Sequence, residues 1–176
     1  MRTIGVVSVG RTDWSIWRPV LEAVRDEPEL AFKLYVTGTH LSPEFGMTVQ
    51  DILDDGFEVS ERLEVLLSSD SPQGVAKAMG LGIVDFAQVF QRSPPDILLA
   101  AGDRFETFAA VAAAAPFNIP VAHLHGGEST EGAIDQLIRH AITKMSHIHL
   151  ASTQAYADYI VGMGEEPWRV SVSGSP

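Results

Sequence analysis

The stretch Thr3 to Val9, TIGVVSV, runs directly into Gly10-Arg11-Thr12-Asp13. An apolar run of this length without polar alternation predicts a strand buried on both faces, which is the environment of a parallel sheet covered by helices. The same signature returns at Phe32 to Thr37, Ile97 to Ala101, Pro120 to His125 and Ile148 to Ala151, with a weaker candidate at Phe57 to Leu63. Helical periodicity fills the intervals: Ile16 to Arg25, Met47 to Asp54, Pro72 to Gln91, Glu106 to Ala115, Ile134 to Met145 and Thr153 to Met163. Ser71 before Pro72 predicts an N-cap with proline at the first helical position. Alternating strands and helices imply an α/β fold, a doubly wound, Rossmann-like parallel sheet with right-handed crossovers.

In such sheets ligands sit outside the carboxyl ends of the strands. Here those ends carry Gly10-Arg11-Thr12-Asp13, Gly38-Thr39-His40, Gly102-Asp103-Arg104 and His123-Leu124-His125-Gly126-Gly127-Glu128. The turn after the first strand is neither G-x-G-x-x-G nor a Walker loop, so neither an ordinary dinucleotide site nor a P-loop is indicated. Arg11 can grip a phosphate or pair with Asp13 at the surface. Asp103 can cap the following helix or serve proton transfer at a desolvated crevice.

The chain has 176 residues, 45% of them apolar, enough for one domain with a proper core. A net charge of −11 and the lack of any basic run argue against nucleic acid or an anionic membrane surface as partner. There is no cysteine, so disulfides, zinc-thiolate sites and thiol nucleophiles are excluded. The opening residues are too short for a signal peptide and no stretch reaches the length of a membrane span, so the expected location is cytoplasmic.

Five of the six histidines, His123, His125, His140, His147 and His149, fall between positions 123 and 149. On strands, His123 and His125 would share a face, as would His147 and His149. Such pairs could ligate zinc with Glu128 or Asp135, yet the acids form no evident ligand set, and no metal is expected. In the helix after Gly126-Gly127, Ile134, Leu137, Ile138, Ala141, Ile142 and Met145 have the spacing of one buried face. Asp135, Arg139 and Thr143 then line another face. Asp135 either pairs with Arg139 or stands across from Asp103, so that two carboxylates flank one pocket and divide acid and base roles.

The runs His123 to Glu128, Glu131 to Asp135 and Ile138 to His149 resemble the hydrolysing UDP-N-acetylglucosamine 2-epimerases of sialic and related nonulosonic acid biosynthesis. Gly102-Asp103-Arg104, Arg11-Thr12-Asp13, Thr37 to Leu41 and Gly174-Ser175-Pro176 fit the same pattern in the same order, so the resemblance covers the chain. It implies a GT-B architecture of two Rossmann-like domains, with residues 1–176 as the amino-terminal one and a nucleotide-binding domain beyond it. It implies loss of the sugar C2 proton and of the nucleoside diphosphate from C1, then hydration of the glycal to N-acetylmannosamine and UDP, without a cofactor. Asp103 and Asp135 match acid/base positions. His125 stands where some members have glutamate, so Glu128 or His125 is the substitute base. Arg11 matches a residue near the phosphates, and Asp13, His40, Arg104, Arg139, His147 and His149 fall among the expected sugar-nucleotide contacts. A homo-oligomer is expected of the full-length protein. The rival expectations are a GDP-sugar substrate, a non-catalytic sugar-nucleotide-binding domain and a metal hydrolase built on the histidines.

Overall fold

The computed structural model describes residues 1–130 and 134–176. Seven parallel strands form one sheet: β1 Arg2–Ser8, β2 Leu30–Thr37, β3 Glu61–Leu63, β4 Ile97–Ala101, β5 Val121–Leu124, β6 Ile148–Ala151 and β7 Val170–Val172. They lie in the order β3-β2-β1-β4-β5-β6-β7. The helices are α1 Arg11–Arg25, α2 Val49–Asp54, α3 Pro72–Arg92, α4 Phe105–Ala114, α5 Asp135–Met145 and α6 Gln154–Gly162. The chain steps one way from β1 to β3 and the other way from β3 to β7. Right-handed crossovers therefore put α1 and α2 on one face and the later helices on the other.

Two cores follow from that division. Trp14, Trp17 and Leu21 of α1 pack with Ile52 of α2 on Val6, Leu34 and Val36. On the opposite face Phe86 and Phe90 of α3, Val111 of α4 and Ile138 and Ile142 of α5 cover Val7, Tyr35 and Leu98. Strand alternation sends Val6 and Val7 to different cores, which is why the run Thr3 to Val9 carries apolar residues without a polar face.

The expected elements are all present, with informative shifts. Helix α1 begins at Arg11, five residues before Ile16, because the Asp13 carboxylate accepts the Val9 N–H at 3.0 Å and secures a first turn whose Gly10 cap offers no side chain. Strand β3 shrinks to Glu61–Leu63: Phe57 instead turns edge-on to Trp14, with ring centroids 5.1 Å apart, in the α1 core. Ser71 caps α3 as expected, accepting the Gly74 N–H at 3.1 Å with Pro72 in the first turn.

The buried face of α5 is rotated from the expected stripe. Ile138, Arg139, Ile142 and Thr143 point inward, while Ile134 and Leu137 are 46% and 71% exposed. Periodicity counts apolar residues, and here two polar residues sit on the inner face because they have partners there.

Trp17 is fully buried and its indole N–H donates to the Val7 carbonyl at 2.8 Å, tying α1 to β1. Trp17→Ala is expected to cost about 3–5 kcal/mol in chemical denaturation. A loss below about 1 kcal/mol would contradict this packing.

Candidate functional site

The strand order reverses between β1 and β4, the place where a doubly wound sheet opens a crevice at its carboxyl edge. On the β1 side Arg11 extends outward, 78% exposed, 3.5 Å from Asp51 rather than from Asp13. Burial pushes the Asp13 carboxyl up to about 6, against the Val9 N–H and Arg104 that lower it, with Glu106 and Asp103 adding to the rise. Glu106, in the first turn of α4, is entirely buried, and burial raises its carboxyl above the ordinary value despite Arg104, whose Nε lies 3.6 Å away. The Arg104 side chain itself remains about half exposed at the crevice.

Asp103 follows Gly102, whose φ of +71° suits glycine at the turn out of β4. Its carboxylate does not cap α4. It is paired with Arg139 Nη2 and accepts the Thr130 hydroxyl at 3.3 Å. Arg139 also donates through Nη1 to the His125 carbonyl at 2.7 Å and through Nη2 to Thr130 Oγ1 at 3.0 Å. Its Nη1 lies 3.6 Å from Glu128 Oε2. Among the described residues its acidic partners are Asp103 and Glu128. Asp135, half-buried in the first turn of α5, is not one of them.

Beyond β5 the chain turns sharply. His125 has φ +60°, which swings it out of the strand alternation, so it does not share a face with His123. His125 Nδ1 donates to Glu128 Oε1 at 2.8 Å, and the Ser152 hydroxyl donates to the same oxygen at 2.6 Å. His125 Nε2 has no partner among the described residues. Burial raises the Glu128 carboxyl, but the hydrogen bonds from Ser152 and His125 and the charge of Arg139 outweigh it, so its pKa lies below the ordinary value. Gly126 and Gly127 permit this turn. A Cβ at Gly126 would meet His123 Nδ1 at 2.9 Å, and one at Gly127, with φ +74°, would meet the Tyr156 carbonyl at 2.8 Å.

The structure thus brings Asp103, His125, Glu128 and Arg139 together at one edge, with Arg104 beside Asp103 after β4 and Arg11 and Asp13 across the switch point after β1. Four of the expected contacts have partners within the protein. Arg139 is a buried clamp whose Nη1 and Nη2 are engaged within the protein, while its Nε has no partner among the described residues. His40 is buried between Ser8 Oγ at 2.9 Å and Thr48 Oγ1 at 2.7 Å, and burial lowers its pKa to about 4. His149 is buried in β6, its Nε2 donating to Glu165 Oε2 at 3.2 Å, while Glu165 also pairs with Lys144. His147 precedes β6 at the amino edge of the sheet, where its Nδ1 accepts the Val121 N–H at 3.2 Å.

His123 also is structural: its Nε2 donates to the Gly102 carbonyl at 2.8 Å and burial lowers its pKa to about 3. No group of three or more His, Asp or Glu among the described residues converges as a metal site. No described helix is long and apolar enough to cross a membrane. Glu131-Gly132-Ala133, part of the motif that carries the resemblance, lie outside the described residues. Sequence reasoning missed Ser152 and Thr130. Ser152 directly follows β6, so the carboxyl-edge rule would have found it.

Arg139→Met leaves Asp103 and Glu128 without their shared cation and is expected to destabilise the chain by about 3–5 kcal/mol, measured by denaturant unfolding. A loss within about 0.5 kcal/mol would show that the clamp carries nothing. Asp13 gives a pH signature. Its folded pKa lies above the unfolded one, so the folded state holds the proton more tightly and stability falls as pH rises from about 4 to about 6. Asp13→Asn, which still accepts the Val9 N–H, removes that fall. Melting curves from pH 4 to 7 are expected to diverge in favour of the variant by about 1–3 kcal/mol, and parallel curves would contradict the burial of the carboxyl.

Residues 22–176 match the family model described as UDP-N-acetylglucosamine 2-epimerase. The chain is 37% identical over 174 residues to the GDP/UDP-N,N'-diacetylbacillosamine 2-epimerase (hydrolyzing) of Campylobacter jejuni, covering 99% of this chain and 45% of that protein. It is 38% identical over 176 residues to the UDP-N,N'-diacetylbacillosamine 2-epimerase (hydrolyzing) of Legionella pneumophila, covering 100% of this chain and 46% of that protein. It therefore spans about half the length of these curated relatives. In fold it is similar to the UDP-GlcNAc 2-epimerase from Neisseria meningitidis solved with UDP-GlcNAc bound, with a TM-score of 0.86 and 22% identity over 99% of this chain and 46% of that one. By the extent of the family match and by these identities, the chain belongs to the UDP-N-acetylglucosamine 2-epimerase family.

Proposed function

We propose that this chain is the amino-terminal half of a hydrolysing 2-epimerase acting on UDP-linked 2-acetamido sugars, of which UDP-N-acetylglucosamine, giving N-acetylmannosamine and UDP, is the simplest. The second domain of a GT-B enzyme would supply the other wall of the cleft. The observation that carries the proposal is the constellation at the carboxyl edge: His125, oriented by Glu128 and with Nε2 unpaired, beside Asp103 held by Arg139.

The reaction calls for a base at C2, a cation for the leaving diphosphate and an acid for the opposite face. A base takes the C2 proton, the C–H electrons form the C1–C2 double bond, and the C1–O bond breaks with its pair leaving on UDP. Water then adds its oxygen to C1 of the glycal while C2 receives a proton from the other side. In our assignment His125 Nε2, held by the Glu128 carboxylate, or Glu128 itself is the base, and Asp103 and Asp135 complete the proton transfers. The exposed guanidinium groups of Arg11 and Arg104 meet the diphosphate. This chemistry needs neither a hydride carrier nor a Lewis acid. A homo-oligomeric, cytoplasmic enzyme belongs to the same proposal.

The names of the Campylobacter and Legionella relatives favour a second reading, in which the sugar carries two acetamido groups and the nucleotide is UDP or GDP.

In the full-length protein, UDP release from UDP-N-acetylglucosamine and from UDP-N,N'-diacetylbacillosamine tests the proposal. Turnover in D2O is expected to leave deuterium at C2 of the product. Asp103→Asn, Asp135→Asn and His125→Gln are each expected to lower kcat by about 10²–10⁴ with little change in KM. Near-normal kcat in all three would remove this acid/base assignment.

A further inference from the structure

Three carboxyls gather at the switch point: Asp13 in the first turn of α1, Asp103 in the turn after β4 and Glu106 in the first turn of α4. Two of them are already committed. Asp13 accepts the Val9 N–H at 3.0 Å, and Asp103 is paired with Arg139. Glu106 differs from both: its side chain is fully buried, and neither carboxyl oxygen has a hydrogen-bond partner among the described residues. Taking a carboxyl out of water without a partner is costly.

The fold closes one side of this carboxyl and sets a cation on another. Gly38, just after β2 with φ +60°, passes so near that a Cβ there would meet Glu106 Oε1 at 2.9 Å. Facing Oε2 is Arg104, with its Nε 3.6 Å away, the ion-pair partner of Glu106 among the described residues. Contact through Nε engages one corner of the guanidinium and leaves the edge formed by Nη1 and Nη2 to the exposed half of the side chain. That edge carries two parallel N–H donors, which match two oxygens of a phosphate. An acid in the first turn of a helix also complements the helix dipole, yet that role is served from the surface and does not require burial.

We infer that Glu106 is a positioning residue: from beneath the crevice its carboxyl holds Arg104 by Nε and presents the Nη edge of the guanidinium to an anionic ligand. It touches no ligand itself. A free arginine side chain samples many rotamers, so holding it in one beforehand lowers the cost of binding. The inference rests on the proposed sugar nucleotide for the identity of the anion, a diphosphate, and adds the device that aims one of the two exposed cations at it.

The test is a double-mutant cycle on the full-length protein, read by calorimetric binding of inorganic pyrophosphate to the wild type, Arg104→Ala, Glu106→Gln and the double variant. Glu106→Gln keeps the shape of the side chain and removes its charge. It is expected to weaken pyrophosphate binding about tenfold, or about 1.4 kcal/mol, when Arg104 is present, and by less than about twofold when Arg104 is already alanine. Glu106→Met, of similar length and without a carboxyl, is expected to give the same loss. Both variants are expected to fold, because each removes a buried acid and leaves a half-exposed arginine that water can solvate. Equal losses with and without Arg104, unchanged affinity in Glu106→Gln, or no pyrophosphate binding by the wild type would each overturn the inference. Failure of both variants to fold would overturn it too, by making Glu106 a structural residue. Pyrophosphate binding involves no turnover, so a full-length protein inactive on sugar nucleotides would sink the proposed reaction while leaving this result standing.

Discussion

A buried guanidinium organises the carboxyl edge of this sheet. Arg139 enters from the inner face of α5 and meets the His125 carbonyl, Thr130, Asp103 and Glu128. Removing such a charge from water is costly unless each donor finds an acceptor, and breaking one half of the set leaves the other half stranded. The turn after β4, the turn after β5 and the first turns of α5 must therefore keep one mutual geometry. The left-handed His125 and the two glycines that follow it serve the same end, since they let the loop pass close to His123, Thr143 and the α6 backbone.

The electrostatics divide the site's arginines by burial. Arg139 neutralises carboxylates within the fold, whereas Arg11 after β1 and Arg104 after β4 keep their guanidinium groups accessible. With a net charge of −11 the molecule as a whole repels anions. In the proposed reaction, attraction for the diphosphate would come from these local cations and from the start of α1, which has no side-chain cap. Glu106 sits beneath Arg104 as a buried carboxyl whose pKa is raised by burial and opposed by that guanidinium.

The strands and their order of alternation with helices were legible in the sequence because a parallel sheet demands apolar residues on both faces, as Val6 and Val7 illustrate. The carboxyl-edge rule likewise pointed to Asp103, His125 and Glu128. The histidine pairs differ from the expectation because β5 ends one residue early, leaving His125 past it in a left-handed turn, and because His147 lies just before β6, whose bounds are those expected. The inner face of α5 was misplaced because Arg139 and Thr143 are buried for their partners, a fact no hydrophobic period encodes. Ser152 reaches Glu128 across 24 residues of chain, a contact that only the assembled sheet creates.

The proposed chemistry turns on the state of one ring. If the Glu128 carboxylate, fixed by Ser152 and Arg139, holds Nδ1–H of His125, then Nε2, buried and without a partner among the described residues, is the nitrogen left unprotonated. Two-dimensional ¹H–¹⁵N correlation of the histidine rings, in the labelled chain at a pH where His125 is neutral, measures this directly. The predicted spectrum shows His125 as the Nδ1–H tautomer with an unprotonated Nε2, and loss of that preference in Glu128→Ala. A His125 ring protonated at Nε2 and bare at Nδ1 would contradict the arrangement on which the proposed chemistry stands.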